Sequence, residues 1–264
     1  MSGFDKTWLA LREPADIAAR HGALVQDLAG HLASLENARI LDIGCGTGST
    51  WRSLSDRLPG DVNWHLLDYD PTLLQEAARQ IGLNSKVGFL QHDLNDIAAL
   101  PLDGVDVVTA SALFDLCSEQ LCTDLADRLA SARIGLYAAL NYNGLMHWSL
   151  PHPLDGEIVD LFNRHQRTDK GLGTALGPDA TDCLTRVLTA RGFRVKIEDS
   201  PWRLDANSRA LQIELLNGLR QPLLEMKDLP EAKIDEWLGY RRDMVGEAGS
   251  LCLVGHADLL ALPL

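Results

Sequence analysis

Between about residue 39 and residue 140, short apolar runs alternate with longer stretches whose apolar positions recur at helical spacing. The runs Arg39–Ile43, Val62–Leu67, Val87–Leu90, Val105–Ala110 and Ile134–Leu140 read as buried strands. The stretches Trp51–Leu58, Pro71–Ile81 and Glu119–Ala132 read as helices. The first is stopped by Pro59-Gly60, and the second carries proline in its first turn, where no backbone N–H is needed. Strands and helices in this order imply a parallel sheet covered on both faces, wound by right-handed crossovers.

The flanks are less regular. Trp8 to Leu35 predicts one or two amphipathic helices, with a break or a start at Pro14. After Leu140, Asn141-Tyr142-Asn143-Gly144 reads as a turn and Leu145–Ser149 as a short strand. Then come the loop Pro151-His152-Pro153, a polar helix Glu157–Arg167, and a glycine-rich link from Asp169 to Pro178. Ala180–Arg191 reads as a helix ended by Gly192, Phe193–Ile197 as a strand, and Asn207–Met226 and Ile234–Val245 as helices. Ser250–Gly255 is the last predicted strand.

Composition narrows the function classes. The 264 residues are 46% hydrophobic and 23% charged, with a formal net charge of −13. That suits a globular protein, and no apolar run reaches the length of a membrane span. The acidity and the absence of a lysine and arginine cluster argue against nucleic acid as a partner. The opening MSGFDKTWLALREPAD lacks a basic start followed by an apolar core, so a cytoplasmic location is expected. Five cysteines at spacings that match no zinc pattern read as free, mostly buried thiols. His147 and His152 are separated by Pro151, and no metal site is expected.

The most specific chemistry is in ILDIGCGTGST, Ile40 to Thr50. A strand runs into a turn with Gly44, Gly46 and Gly48 alternating, and Asp42 stands just before it. Glycines let the backbone bend sharply and approach a ligand closely. A dinucleotide site wants Gly-x-Gly-x-x-Gly, and here the third glycine comes one residue early. With hydrophobic-Leu-Asp-hydrophobic ahead of it, the turn resembles the first motif of the class I S-adenosylmethionine-dependent methyltransferases. The likeness extends over roughly residues 38 to 140. It implies an α/β, doubly wound, mostly parallel seven-stranded sheet with an antiparallel last strand, plus helical cap elements. One methyltransferase domain would span residues 1–264, with residues 1–36 as an N-terminal cap and 141–180 and 200–249 as substrate-side insertions.

The resemblance also implies site residues. In LLDYDP, Asp68 takes the place of the acid that binds the ribose hydroxyls, with Tyr69 packing on the adenine. A carboxylate can accept from both hydroxyls in a charge-assisted contact. In GFLQHDLND, Asp93 and Leu94 border the adenine, and in DVVTASALFDL, Ser111 and its neighbours border the methionine part. Gly44, Cys45, Gly46 and Gly48 supply backbone, and Asp42 would receive the cofactor ammonium. Other readings stay open: Asp68 as a cap for the helix after Pro71, Asp93 as a loop carboxylate, Asp42 as a brace for the loop, and Tyr69 as a surface ring.

Methyl transfer is an in-line displacement, and it needs a base only if the nucleophile arrives protonated. No universal catalytic residue is therefore expected. The acceptor side falls to the loops beyond the strands' carboxyl ends. There Tyr142, Trp148, Arg167 and Lys170 are substrate-binding candidates, and His147, His165 and Asp115 are catalytic candidates. Asp115 reads equally as a cap for the helix near Ser118. The expected activity is methylation of an oxygen or nitrogen of a small polar metabolite acceptor. A non-catalytic partner subunit of the same fold, a nicotinamide oxidoreductase and a polyamine synthase are the rival readings.

Overall fold

A computed structural model describes residues 5–264, so the first four positions of the expected 1–36 cap lie outside the described residues. The eight strands are β1 (Arg39–Ile43), β2 (Asn63–Asp68), β3 (Val87–Gln91), β4 (Val107–Ser111), β5 (Gly135–Trp148), β6 (Phe193–Asp199), β7 (Trp202–Leu204) and β8 (Cys252–Pro263). The main path runs β3-β2-β1-β4-β5-β8-β6, with β7 paired off the path to β8. The first five strands are parallel, and β8 runs antiparallel to both β5 and β6. This is the expected doubly wound sheet with an antiparallel last strand, plus the short β7 that the sequence reading passed over.

Side-chain alternation builds a separate core on each face of the sheet. Leu41, Leu67 and Val108 point to one face, where α5 (Glu119–Ala132) and α7 (Ala180–Thr189) cover them. Their neighbours Ile40, Leu66 and Val107 point to the other, covered by α2 (Gly22–Ala33), α3 (Ser49–Leu54) and α4 (Pro71–Ile81). A third core lies beyond the sheet proper. It joins the far ends of β5 and β8 to β7, α6 (Asp155–Gln166), α8 (Arg209–Met226) and α9 (Glu231–Met244). Trp8, Leu11 and Ala15 of α1 (Lys6–Ala19) pack against that core as well. None of these helices is long and apolar enough to cross a membrane.

Three sequence expectations change here. Pro14 sits inside α1, and the break falls at Arg20-His21 instead. Asn141–Gly144 is no turn, because β5 runs through it with register shifts between Ala138 and Asn141 and between Tyr142 and Met146. Leu140 and Gly144 take positive φ (56° and 89°), so the residues that suggested a reversal serve bulges in a continuing strand. Finally, β8 does not stop at Gly255. His256 and Asp258 look like strand breakers, yet both are buried in the ladder.

Asp258 shows why. It is fully buried, and its Oδ1 accepts from the Leu140 amide (2.8 Å) at the bulge. Its Oδ2 accepts from the Tyr137 hydroxyl (2.9 Å) and from the His21 amide (3.0 Å) at the α1–α2 junction. Asp258→Ala would strand three buried donors, each costing about 1–3 kcal/mol when unpaired. We therefore expect urea unfolding to show a loss of at least about 3 kcal/mol. A loss below about 1 kcal/mol would show that the junction is held by something else.

Candidate active site

The glycine turn sits at the carboxyl end of β1, where the crevice of an open α/β sheet lies. Gly44, Gly46 and Gly48 all have positive φ. The Cys45 amide donates to the Leu67 carbonyl (3.0 Å), stitching the turn to β2. Gly48 is the N-cap of α3, and a Cβ there would press within 3.2 Å of Ile81 and 3.4 Å of Ala77 on α4. The early third glycine thus still serves close helix packing, against α4 rather than through the dinucleotide spacing.

Asp68 closes the turn from the end of β2. Its Oδ2 accepts from the Gly46 amide (2.8 Å) and its Oδ1 from the Asp70 amide (2.9 Å). The cap of α4 is Asp70, which accepts from Thr72 N (2.7 Å), so the two acids of LLDYDP have separate tasks. Burial pushes the Asp68 carboxyl above its ordinary value, against the pull of those amides.

A cavity of about 730 Å³ opens from these groups. Its volume lies in the upper part of the range for small-ligand sites. At one end stand Asp68, Tyr69, Asp70 and Leu94, and Gly44 to Thr47 with Ser49 and Thr50 contribute the turn. Trp8, Leu9, Arg12 and Asp16 of α1 line it together with Ser111 to Leu113 and Leu116. Lys170 and Leu172 complete the wall. Arg52 ties α1 to the turn: its guanidinium donates to both carboxylate oxygens of Glu13 (2.7 and 2.6 Å) and to the Thr47 carbonyl.

Beneath the turn lies Asp42, fully buried, with Oδ1 accepting from the Thr109 hydroxyl (2.7 Å). Burial raises its pKa to about 7, although the Thr109 bond and the nearby Arg20 charge pull it down. Arg20, at the end of α1, is buried too and donates to the Ser111 hydroxyl (3.1 Å).

Residues 40–132 match the family described as "Methyltransferase domain". The chain is 36% identical over 97 residues to the trans-aconitate 2-methyltransferase of Mycolicibacterium gilvum, covering 36% of this chain and 34% of that protein. Residues 40–132 are a class I methyltransferase domain. Its fold is the Rossmann-like one, and the methyl donor of such domains is S-adenosylmethionine. A second relative, the biotin biosynthesis bifunctional protein BioCD of Bordetella avium, is 40% identical over 72 residues, 26% of this chain and 15% of that protein. The chain spans a third or less of the length of these two relatives. Among solved structures, the cyclopropane synthase MmaA2 of Mycobacterium tuberculosis superposes with a TM-score of 0.54 at 14% identity, over 98% of this chain and 94% of that one. Phosphoethanolamine N-methyltransferase 2 of Haemonchus contortus gives 0.51 at 12% identity, over 99% of this chain and 59% of that one. At these identities the superpositions bear on the fold alone.

Around the methyltransferase domain, the structure separates the residues singled out from sequence. Gly44, Cys45, Gly46, Asp68, Tyr69, Leu94, Ser111 and Lys170 line the one cavity. Asp42 and Gly48 lie directly behind it. Asp93, half-buried, accepts from the Asn95 amide (2.9 Å) and side chain instead of lining the wall. Tyr142 and Trp148 are buried in the third core: Tyr142 donates to Asn163 (2.8 Å), and Trp148 packs edge-on against Trp237. Arg167 pairs with Asp179 (2.7 Å) and His147 is exposed on β5, both outside the cavity lining. His165 has both ring nitrogens engaged, by Glu225 (2.9 Å) and Lys170 (3.1 Å). Asp115 is not the α5 cap, since Ser118 accepts there. It is half-buried with its Oδ1 buried and unpaired, and desolvation raises its pKa to about 6.

The wall that sequence reasoning missed is α1. Trp8, Arg12 and Asp16 follow one another at i, i+4 and i+8, so they share one helix face. That spacing was present in the sequence, but nothing local says that this face looks onto a cavity. The 200–249 segment contributes no side chain to the cavity lining.

The Asp42 shift has a sign. With its folded pKa above the unfolded one, Asp42 holds a proton more tightly when folded. Its contribution is present at low pH and is lost as pH rises from about 4 through about 7. Asp42→Asn keeps the acceptor for Thr109 and removes the titration. The melting temperature of this variant should gain on the parent progressively between pH 5 and pH 8. A gap that shrinks over that range would contradict the burial account.

Proposed function

We propose that this chain transfers a methyl group from S-adenosylmethionine to an oxygen or nitrogen of a small polar metabolite. The carrying observation is the Asp68 carboxylate, fixed at the mouth of the glycine turn in a cavity that continues past the turn to α1. In this reading Asp68 holds the ribose hydroxyls. Tyr69 and Leu94 flank the adenine. The backbone of Gly44 to Gly48 lies against the ribose and amino acid portions, and Asp42 and Ser111 serve the amino acid end. The bound donor supplies an electrophilic methyl carbon. The remaining cavity, between α1, Leu113, Leu116 and Lys170, holds the acceptor in line with it and keeps water away.

The trans-aconitate 2-methyltransferase likeness supports a small-molecule acceptor, and the net charge of −13 favours that over nucleic acid. Calorimetry with S-adenosylhomocysteine tests the reading. Asp68→Ala removes an ionised acceptor worth about 1.5–3 kcal/mol, so binding should weaken by roughly 10- to 100-fold. Tight NADH binding with no response to S-adenosylmethionine would overturn it.

A further inference from the structure

The cavity wall carries two cations and, among the described residues, no histidine or glutamate. Its four carboxylates are all engaged. Asp5 accepts from the Thr7 amide and Asp70 from the Thr72 amide, each capping a helix. Asp68 braces the Gly46 and Asp70 amides. Asp16 takes a two-pronged bond from Arg12 (2.8 and 3.2 Å) and the indole N–H of Trp202 (2.9 Å). Cys45 is the only thiol on the wall, and burial pushes it well above its ordinary value, so it stays protonated. An acceptor that arrives as an alcohol, a phenol or an ammonium would find no imidazole or thiolate on this wall to take its proton, and Lys170, whose pKa burial lowers, is tied as a donor to His165 and Thr168.

The two cations are placed with care. Lys170 is held from behind by a chain of side chains. Glu225 accepts from His165 Nε2 (2.9 Å), which fixes the imidazole tautomer and leaves Nδ1 to accept from Lys170 Nζ (3.1 Å). Thr168 Oγ1 accepts a second Lys170 hydrogen (3.1 Å). An ammonium has three donors, so one remains for the cavity that Lys170 lines. Arg12 is fixed over the Trp202 ring, with 5.0 Å from guanidinium carbon to ring centroid. Asp16 occupies its Nε and Nη2, and its Nη1 makes no hydrogen bond among the described residues.

We propose that the acceptor is a small carboxylic acid bound as its anion, anchored by Lys170 and Arg12 and methylated on a carboxylate oxygen. A carboxylate is already deprotonated at neutral pH, which suits a wall without a histidine or a thiolate. An oxygen lone pair forms the bond to the methyl carbon, and the methyl–sulfur bond breaks with its electron pair left on sulfur. The reacting carboxylate becomes a neutral ester group, the sulfonium becomes a thioether, and no proton moves. His165 and Glu225 are positioning residues that act through Lys170. This inference rests on the methyl-transfer reading above.

The experiment is calorimetry on the full chain saturated with S-adenosylhomocysteine, titrated with succinate, glutarate and tricarballylate, and with neutral glutaramide as the control. At least one of the acids should bind while glutaramide does not. Lys170→Met should weaken that binding by about tenfold or more, as expected for a lost bond to a charged group. Lys170→Arg should restore most of it. His165→Gln and Glu225→Gln should weaken it severalfold. All four variants should keep the parent's affinity for S-adenosylhomocysteine, which also shows that they fold. Turnover of the bound acid should yield an ester that releases methanol in mild alkali. If S-adenosylhomocysteine itself does not bind, the methyl-transfer reading fails. If it binds but none of the acids does, or if only amines or phenols are methylated, the carboxylate inference alone is overturned.

Discussion

The buried carboxylate of Asp258 makes three bonds that no other group could make together. It accepts from the amide of a residue held at positive φ in β5, from a tyrosine hydroxyl, and from the His21 amide at the α1–α2 junction. The bulge at Leu140 would otherwise leave a buried N–H unpaired, a cost that structures seldom carry. Because the same carboxylate also grips the α1–α2 junction, the bulge and the N-terminal helices are fixed by one group. Arg20, next to that junction, is thereby delivered beneath the cavity, and the rest of α1 is aimed across its mouth.

The wall of the site follows from that geometry. One face of α1 packs on the third core through Trp8, Leu11 and Ala15, while Trp8, Leu9, Arg12 and Asp16 border the cavity. The bond from Trp202 to Asp16 and the stacking of Arg12 on Trp202 join the helix to β7, the short strand on the far end of β8. The donor end of the cavity is built from parallel strands and the glycine turn. The other end is built from α1 and the loop after α6. Both cations, Arg12 and Lys170, stand at this second end, although Asp5 and Asp16 bring carboxylates there too.

What the sequence made legible was local. The glycine turn, Asp68 and the helix after Pro71 are each specified by residues within a few positions of one another, and each stands where the reading placed it. The long reach of β5 and β8 was hidden because Asn141, His256 and Asp258 are polar, and a one-dimensional pattern cannot show that each is buried among partners. Tyr142 and Trp148 looked like substrate groups because aromatics in a polar segment attract that reading. They turned inward because the segment is a strand covered by α6, α8 and α9. Lys170 was legible as a cation in a glycine-rich link. The chain behind it, His165 and Glu225, spans two helices far apart in sequence and had no local signature.

All five cysteines are free and buried, and they are spread over every part of the interior. Cys117, Cys122 and Cys183 belong to the core under α5 and α7, Cys45 to the core on the opposite face, and Cys252 to the core beyond the sheet. Cys45 also faces the cavity, but a thiol reagent in solution can meet the other four only when their own core opens. The protein therefore carries a native clock for local opening in the core under α5 and α7 and in the core beyond the sheet, without any introduced label.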